Sequence, residues 1–360
     1  MQENRSQLVS DIVAQPASLS CVLDQQFGTG HSELLRAASV IRSARRVLIT
    51  GIGASMFASI PLEYALCACG IDAVVVEAAE LLHYRHRAYR DAVAVVVSRS
   101  GESIEIAKLL AMPRKQQLVI GVTNEPSSLL ARKADVSLHV GSRSDGMVAI
   151  QTYTGTLMTL YLLAEMVRLS RDPARNDIER WRLSFLEVVT TSYEQLGSWD
   201  PFLEAGAPIY LLGRGPSYAS AMEGALLFNE IAKIPAVGMP AASFRHGPVE
   251  VVDDRFRGLI FASPGCTRDL NIALGRDLAR FGGWVRGIGP AQESSPRMDW
   301  CDLPPVPEAL APLFEIVPVQ MAALRMAQLR SIPEGSLRYA PQVTTDEASF
   351  GIPGTRASPE

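Results

Sequence analysis

The chain is 360 residues long, 48% apolar and 20% charged, which at roughly 100–200 residues per domain predicts about two domains, each able to bury its own core. Its net charge of −4 argues against a nucleic-acid partner, whose binders carry a basic surplus and a basic stripe. No apolar run reaches about 18 residues, so no membrane span is expected, and the opening MQENRSQLVS carries no signal peptide.

In chain order, Val47–Thr50 (VLIT) is a short apolar strand ending in Gly51-Ile52-Gly53, and Ser55 opens a helix to about Cys69. A strand at Ala73–Val76, a helix from about Ala78 and a strand at Ala92–Val97 follow. Strands without polar alternation are buried on both faces, the signature of a parallel sheet covered by helices. A strand at Leu118–Val122, a helix at Ser127–Arg132 and a strand at Val136–Val140 complete a doubly wound lobe. Tyr153–Leu169 and about Ala174–Gln195 read as helices.

The pattern then restarts. Ile209–Leu212 is a strand, Gly213-Arg214-Gly215 follows it, and Ser217 stands near the start of a helix to about Ile234. Aligning Gly51 with Gly213, and Ser98 with Ser263, gives offsets of 162 and 165 residues, and an internal duplication is the simplest reading. Two unrelated α/β lobes are the alternative. Leu274–Phe281 reads as a helix, Trp284–Ile288 as a strand and Leu310–Leu329 as a long apolar helix; from about Ser331 the chain is an extended tail.

Ser98-Arg99-Ser100-Gly101-Glu102-Ser103 lies between a buried strand and the helix Ile104–Leu110. Free backbone N–H groups, a helix dipole, three hydroxyls and a glycine suit a tetrahedral anion there, at the strand ends where open α/β sheets bind ligands. A serine-rich helix cap with Glu102 in the first turn explains the same residues. Gly51–Ser55 (GIGAS) makes a second strand-to-helix turn in which Gly53 and Ser55 could meet the same anion; Met56 breaks any G-x-G-x-x-G fingerprint. The counterpart in the second lobe, Ser263-Pro264-Gly265, has lost the hydroxyl cluster, so one lobe is expected to bind and the other to react.

Glu223 and Glu230, seven residues apart, would lie two turns apart on nearly one helix face. The apolar run GALLFNEIA around Glu230 should raise its pKa, as a proton shuttle requires. His246 sits in a loop fixed by Gly247 and Pro248. Helix-surface charges and a loop histidine bonded to backbone are the plainer explanations. His83 and His86 read as a solvated basic helix end rather than a metal site, and neither metal nor cofactor is expected. Five cysteines without C-x-x-C spacing suit reduced thiols in the cytoplasm.

The stretch LGRGPSYASAMEGALLFNEIAKIPAVGMPAASFRHGPVEVV resembles the second sugar-isomerase (SIS) lobe in the isomerase half of glucosamine-6-phosphate synthase. SRSGES is similar to that family's phosphate loop SQSGET, and SDIVAQP to the helix before its first lobe. The resemblance spans about residues 8–348 and implies an α/β fold of two tandem doubly wound, flavodoxin-like SIS lobes. Their divisions are an N-terminal helical segment (1–30), a phosphate-binding lobe (31–172), a helical linker (173–200), a catalytic lobe (201–331) and a tail (332–360).

By that likeness Ser98, Ser100 and Ser103 hold a sugar 6-phosphate with Ser55 and Gly53 nearby, and Glu223 and Gln342 also contact substrate. Glu230 moves a proton between C1 and C2, and His246 opens the ring, in the synthase from the neighbouring subunit. A homodimer follows as an expectation. The chain has no N-terminal cysteine and no extra length for the glutaminase half, so it is not expected to draw ammonia from glutamine.

Only four of the 34 basic residues are lysines (Lys108, Lys115, Lys133 and Lys233). Leu227 stands where the family has the lysine of EGALK, Gln342 where it has the Schiff-base lysine, and Ile150-Gln151 where it has a Thr-Lys pair. Lys233, three residues after Glu230, is an imperfect stand-in. A free ketose benefits from a lysine iminium, whereas an Amadori compound already carries an amine on C1. The expected activity is therefore a phosphosugar deglycase. Alternatives are an amino-sugar phosphate isomerase or deaminase, and a non-catalytic phosphosugar sensor. Arg143, Arg245 and Arg338 are candidates for a substrate carboxylate.

Overall fold

A computed structural model describes residues 6–113, 117–203, 208–340 and 343–348. Two helices lead in, α1 (Gln7–Phe27) and α2 (His31–Ser43). The first lobe follows as β1 (Arg46–Gly51), α3 (Ala54–Ala68), β2 (Asp72–Glu77), a short α4 (Ala78–Glu80), β3 (Val93–Val97), α5 (Ile104–Ala111), β4 (Val119–Thr123), α6 (Leu129–Lys133), β5 (Val136–His139) and α7 (Gln151–Leu169). Helices α8 (Arg175–Glu194) and α9 (Asp200–Leu203) connect to the second lobe. It runs through β6 (Ile209–Gly213), α10 (Tyr218–Leu227), β7 (Ala236–Pro240), α11 (Ala241–Phe244), β8 (Arg257–Phe261), α12 (Arg268–Arg280), β9 (Trp284–Gly289), β10 (Met298–Asp302) and α13 (Ala311–Leu329).

The first sheet has the order β2-β1-β3-β4-β5 and the second β7-β6-β8-β9-β10, all neighbours parallel. The identical order in both lobes is the duplication read from the 162- and 165-residue offsets. Central strands such as β4 (VIGVT) and β8 (RGLIF) are buried at every residue, as expected of strands covered by helices on both faces.

Two strands escape the sequence reading, β7 (AVGMP) and β10 (MDWCD). Both are edge strands, so neither needs the continuous apolar run that marks a strand covered on both faces. Helix α12 starts at Arg268 rather than Leu274 because its first turn is polar. The helix from Ala78 gives way after three residues to a π-turn, Leu81–Arg85, in which His83 faces Glu347 and His86 Nδ1 meets the Leu82 carbonyl at 3.2 Å.

One core runs through both lobes: it joins α1 and α2, the inner faces of both sheets, α7, α8, α10 and α13. Helices α7 and α13 are buried along nearly their whole length. The segment Glu308–Leu329 is long and apolar enough to cross a membrane, but 89% of its apolar window is buried inside this fold. Burial on every side explains its apolar composition.

The loop after β3 is fixed by a glycine. Gly101 has φ of +65°, and a Cβ there would lie 2.3 Å from Ser128 Oγ. Gly101→Ala is expected to destabilise the chain by about 1–3 kcal/mol from backbone strain, with the clash against Ser128 adding to it. Urea denaturation of the variant beside the parent measures the loss; equal midpoints would contradict the strained loop.

Candidate functional site

Two loops of the first lobe meet at the carboxyl ends of β1 and β3, where the strand order reverses. After β1, Gly53 adopts φ of +52° and starts α3 without a side-chain cap, placing Ser55 in the first turn. After β3, Ser98 Oγ accepts from the Gly101 N–H at 3.1 Å and Ser100 Oγ from the Glu102 N–H at 3.3 Å. The loop is tied to its neighbours. The Arg99 carbonyl accepts from the Thr123 hydroxyl and the Asn124 N–H, both at 3.1 Å, and a Glu102 carboxylate oxygen accepts from the Leu129 N–H at 2.6 Å. Ser103 begins α5 but makes no capping bond with its side chain, so its hydroxyl is not spent on its own helix. That weakens the plain helix-cap explanation.

These residues line a cavity of about 270 Å³ that brings together Gly53, Ser55, Ser98, Ser100, Ser103 and Glu230. Helix α7 contributes Thr152, Tyr153 and Thr156, and the tail lies across the cavity with Leu337, Ala340 and Thr344. Met147 from the loop before α7 also reaches it. The cavity is thus shared between lobes: Leu226 and Glu230 come from the second, the hydroxyls from the first. Two helix N-termini, those of α3 and α5, add their positive dipole ends to the same side.

Glu230 reaches the cavity through an irregularity. Helix α10 ends at Leu227 and passes into a π-turn, Phe228–Ala232, before Lys233 adopts a left-handed conformation at φ of +54°. A π-turn has more residues per turn than an α-helix, so it breaks the shared face expected of Glu223 and Glu230. Glu223 is 1% exposed and is not among the residues lining the cavity, so it stands behind the wall that Glu230 reaches. Burial pushes the Glu230 carboxyl above its ordinary range, against the opposing pull of Arg99 and Lys233. Full burial, followed by the charge of Glu230, pushes Glu223 much further up. One Glu223 oxygen and the Tyr153 hydroxyl are buried without a hydrogen-bond partner among the described residues.

Among the described residues lining the cavity there is neither lysine nor histidine. The Lys233 ammonium is held by the backbone carbonyls of Glu230 and Ser336, and Lys108 pairs with Glu347. Both fasten the tail, so Lys233 is no stand-in at the cavity wall. His246 is exposed and is not among the residues lining the cavity, its backbone N–H donating to the Ser243 carbonyl at 3.0 Å. Gln342 lies outside the described residues.

None of the three arginines proposed for a substrate carboxylate lines the cavity; Arg245 pairs instead with Asp277 at 3.1 Å. The arginine that does line it is Arg99, which the sequence reading passed over. Its signal was present, since it replaces the glutamine of SQSGET and puts a cation inside the hydroxyl loop.

Comparison with known protein families matches the SIS domain to residues 40–166 and again to 203–330. The chain is 28% identical over 348 residues to the isomerizing glutamine–fructose-6-phosphate aminotransferase of Pyrococcus horikoshii, a match covering 94% of this chain and 58% of that protein. It therefore spans a little over half the length of that relative. Among solved structures, the C-terminal domain of glucosamine-fructose-6-phosphate aminotransferase from Francisella tularensis superposes with a TM-score of 0.81 at 19% identity, covering 93% of this chain and 99% of that one. Glucosamine-6-phosphate deaminase from Thermotoga maritima gives 0.71 at 19% identity, with 94% and 99% covered. At such identities these two likenesses speak for the fold.

The raised Glu223 carboxyl makes a stability prediction. A folded-state pKa above the unfolded value means that the folded chain holds a proton the unfolded chain has released. That stability is complete below the ordinary carboxylate range and is lost as pH rises through the folded value. Glu223→Gln is expected to flatten the decline of unfolding free energy between mildly acidic and alkaline pH, and urea titrations across that range measure the slope. A slope as steep as the parent's would show that Glu223 is not the protonated group.

Proposed function

Because the chain belongs to the SIS domain family, with one copy in each lobe, we propose that it is a phosphosugar-processing enzyme that cleaves an Amadori sugar 6-phosphate to an aldose 6-phosphate and a free amine. The observation that carries this reading is the composition of the cavity: a hydroxyl loop, one carboxyl of raised pKa and no lysine among its described lining.

The serine hydroxyls, the α3 and α5 N-termini and Arg99 hold the phosphate and leave C1 and C2 toward Glu230. Glu230 takes a proton from C1 of the open-chain fructosamine while the C2 carbonyl oxygen gains one from solvent, giving the 1,2-enaminol. Protonation at C2 and loss of the nitrogen proton convert this to the aldimine. Water adds to the C–N double bond, and the amine leaves with the aldose 6-phosphate. A lysine iminium at C2 would acidify the C1 proton of a free ketose; an Amadori substrate already carries on C1 the nitrogen that becomes the aldimine, so its release by hydrolysis needs no lysine to form the C–N double bond. Burial suits Glu230 to this work, because a carboxyl whose pKa lies nearer neutrality both accepts and returns a proton readily. In this scheme His246 opens the ring from the neighbouring subunit of a homodimer.

Incubation with fructoselysine, fructose-asparagine and glucosamine 6-phosphates separates the readings. Release of glucose 6-phosphate and amine from either Amadori compound supports the deglycase, turnover of glucosamine 6-phosphate alone points to a deaminase or isomerase, and activity on none of them sinks the enzyme reading. Glu230→Gln is expected to lower turnover roughly 100- to 10,000-fold with phosphosugar binding retained. Mixing Glu230→Gln and His246→Ala chains should restore about a quarter of parental activity if each site draws on two subunits of an exchanging dimer. No recovery after exchange would place both groups on one chain.

A further inference from the structure

The duplication gives each lobe a crevice at the carboxyl ends of its first and third strands: β1 and β3 in one lobe, β6 and β8 in the other. In the first lobe it is the open cavity. In the second, the sequence reading found the hydroxyl cluster lost from the loop after β8, yet three hydroxyls gather there from different elements. Ser217, which stands 162 residues after Ser55, donates to Glu315 Oε1 at 2.8 Å, and Ser220 donates to Oε2 at 2.6 Å. Ser263, the residue aligned with Ser98, lies on the same side and helps to hold the Glu315 carboxyl down.

Glu315 is 0% exposed. It stands near the start of α13, which follows the fifth strand of its sheet as α7 follows the fifth strand of the other. Burial pushes the Glu315 carboxyl above its ordinary range, and the serine hydroxyls oppose that push. A buried carboxylate is costly unless donors replace its water, and here Ser217 and Ser220 face both oxygens. A second carboxylate lies nearby. Glu308 packs so closely on Gly265 that a Cβ there would fall 2.2 Å from its Cδ, and a Cβ on Gly215 would lie 3.7 Å from Glu308 Oε1.

We propose that the second lobe carries an anion seat of the phosphate and carboxylate class, formed by Ser217, Ser220 and Ser263 and occupied by the chain's own Glu315 as an internal ligand. The duplicated fold therefore offers one external phosphate site and not two, and withdrawing the Glu315 side chain opens the second. The comparison with the first lobe rests on the phosphate reading given above, and the test is built so that the two can fail separately.

Ser98, Ser100 and Ser103 are first replaced together by alanine in the full chain, which should reduce the uptake of inorganic phosphate, followed by calorimetry and 31P NMR, from one equivalent to none. Adding Glu315→Ala to that variant should restore one equivalent per chain, with acetate competing for it, and further Ser220→Ala should remove it again. A folded Glu315→Ala chain that takes up neither phosphate nor acetate, at concentrations saturating the parent's first lobe, overturns the proposal. If the parent itself binds no phosphate, the reading of the first lobe fails while the Glu315→Ala result still decides the second.

Should Glu315→Ala not fold, Ser217→Ala with Ser220→Ala in an otherwise native chain provides the decision. Loss of donors to an ionised carboxylate costs stability that grows as pH rises through the Glu315 titration, whereas loss of donors to a neutral carboxyl costs the same at every pH. Growth with pH supports the internal anion and a flat cost overturns it. Glu308 and Tyr153, the titratable groups that interact electrostatically with Glu315, are controlled by repeating the titration with Glu308→Gln and by staying below the raised Tyr153 range.

Discussion

A parallel sheet covered by helices on both faces leaves little room for chemistry except at the ends of its strands. Among the described residues every pair of neighbouring strands in the two sheets is parallel, and the faces are filled largely with Val, Ile, Leu and Ala. Ligands must then approach where the strand order reverses and the connecting loops diverge. This constraint places the serine loop after β3 opposite the turn after β1, and the rest of the site is arranged around that opening. It acts twice because the fold is duplicated, and the two strand ends differ: one borders a cavity lined with hydroxyls, while at the other Ser217 and Ser220 bond Glu315.

The lobes also depend on each other. Helices α7 and α13, each buried along almost its whole length, belong to a core that continues from one lobe into the other. Only this close packing allows Glu230, carried by the second lobe, to enter a cavity whose hydroxyls belong to the first. The π-turn at Phe228–Ala232 accomplishes the final adjustment, separating Glu230 from the deeply buried Glu223. Their environments follow from the separation: Glu223 is sealed in and pushed far up, while Glu230 keeps access to the cavity and the moderating charges of Arg99 and Lys233.

Lysine scarcity takes on a concrete meaning in this geometry. Lys108 and Lys233 hold the tail, through Glu347 and the Ser336 carbonyl, and neither wall nor floor of the cavity carries a lysine among the described residues. Their structural use turns Lys233, three residues after Glu230 in sequence, away from the cavity wall. The left-handed turn at Lys233 sends its side chain back over the Glu230 carbonyl and toward the tail.

Sequence alone determined the class of fold, because buried parallel strands require unbroken apolar runs and a duplicated pattern repeats at a fixed offset. It also marked the serine loop and Glu230 as candidates, although a helix cap and a helix-surface charge explained the same residues. Edge strands β7 and β10 stayed hidden because one-sided burial imposes no comparable pattern. Tertiary structure decided the rest. Helical spacing put Glu223 and Glu230 on one face until a π-turn parted them, and nothing local could show that Ser217, Ser220 and Ser263 converge on a residue some fifty to a hundred positions away. Periodicity records what a residue's own element must bury; which elements meet at a site is settled only when the whole core closes.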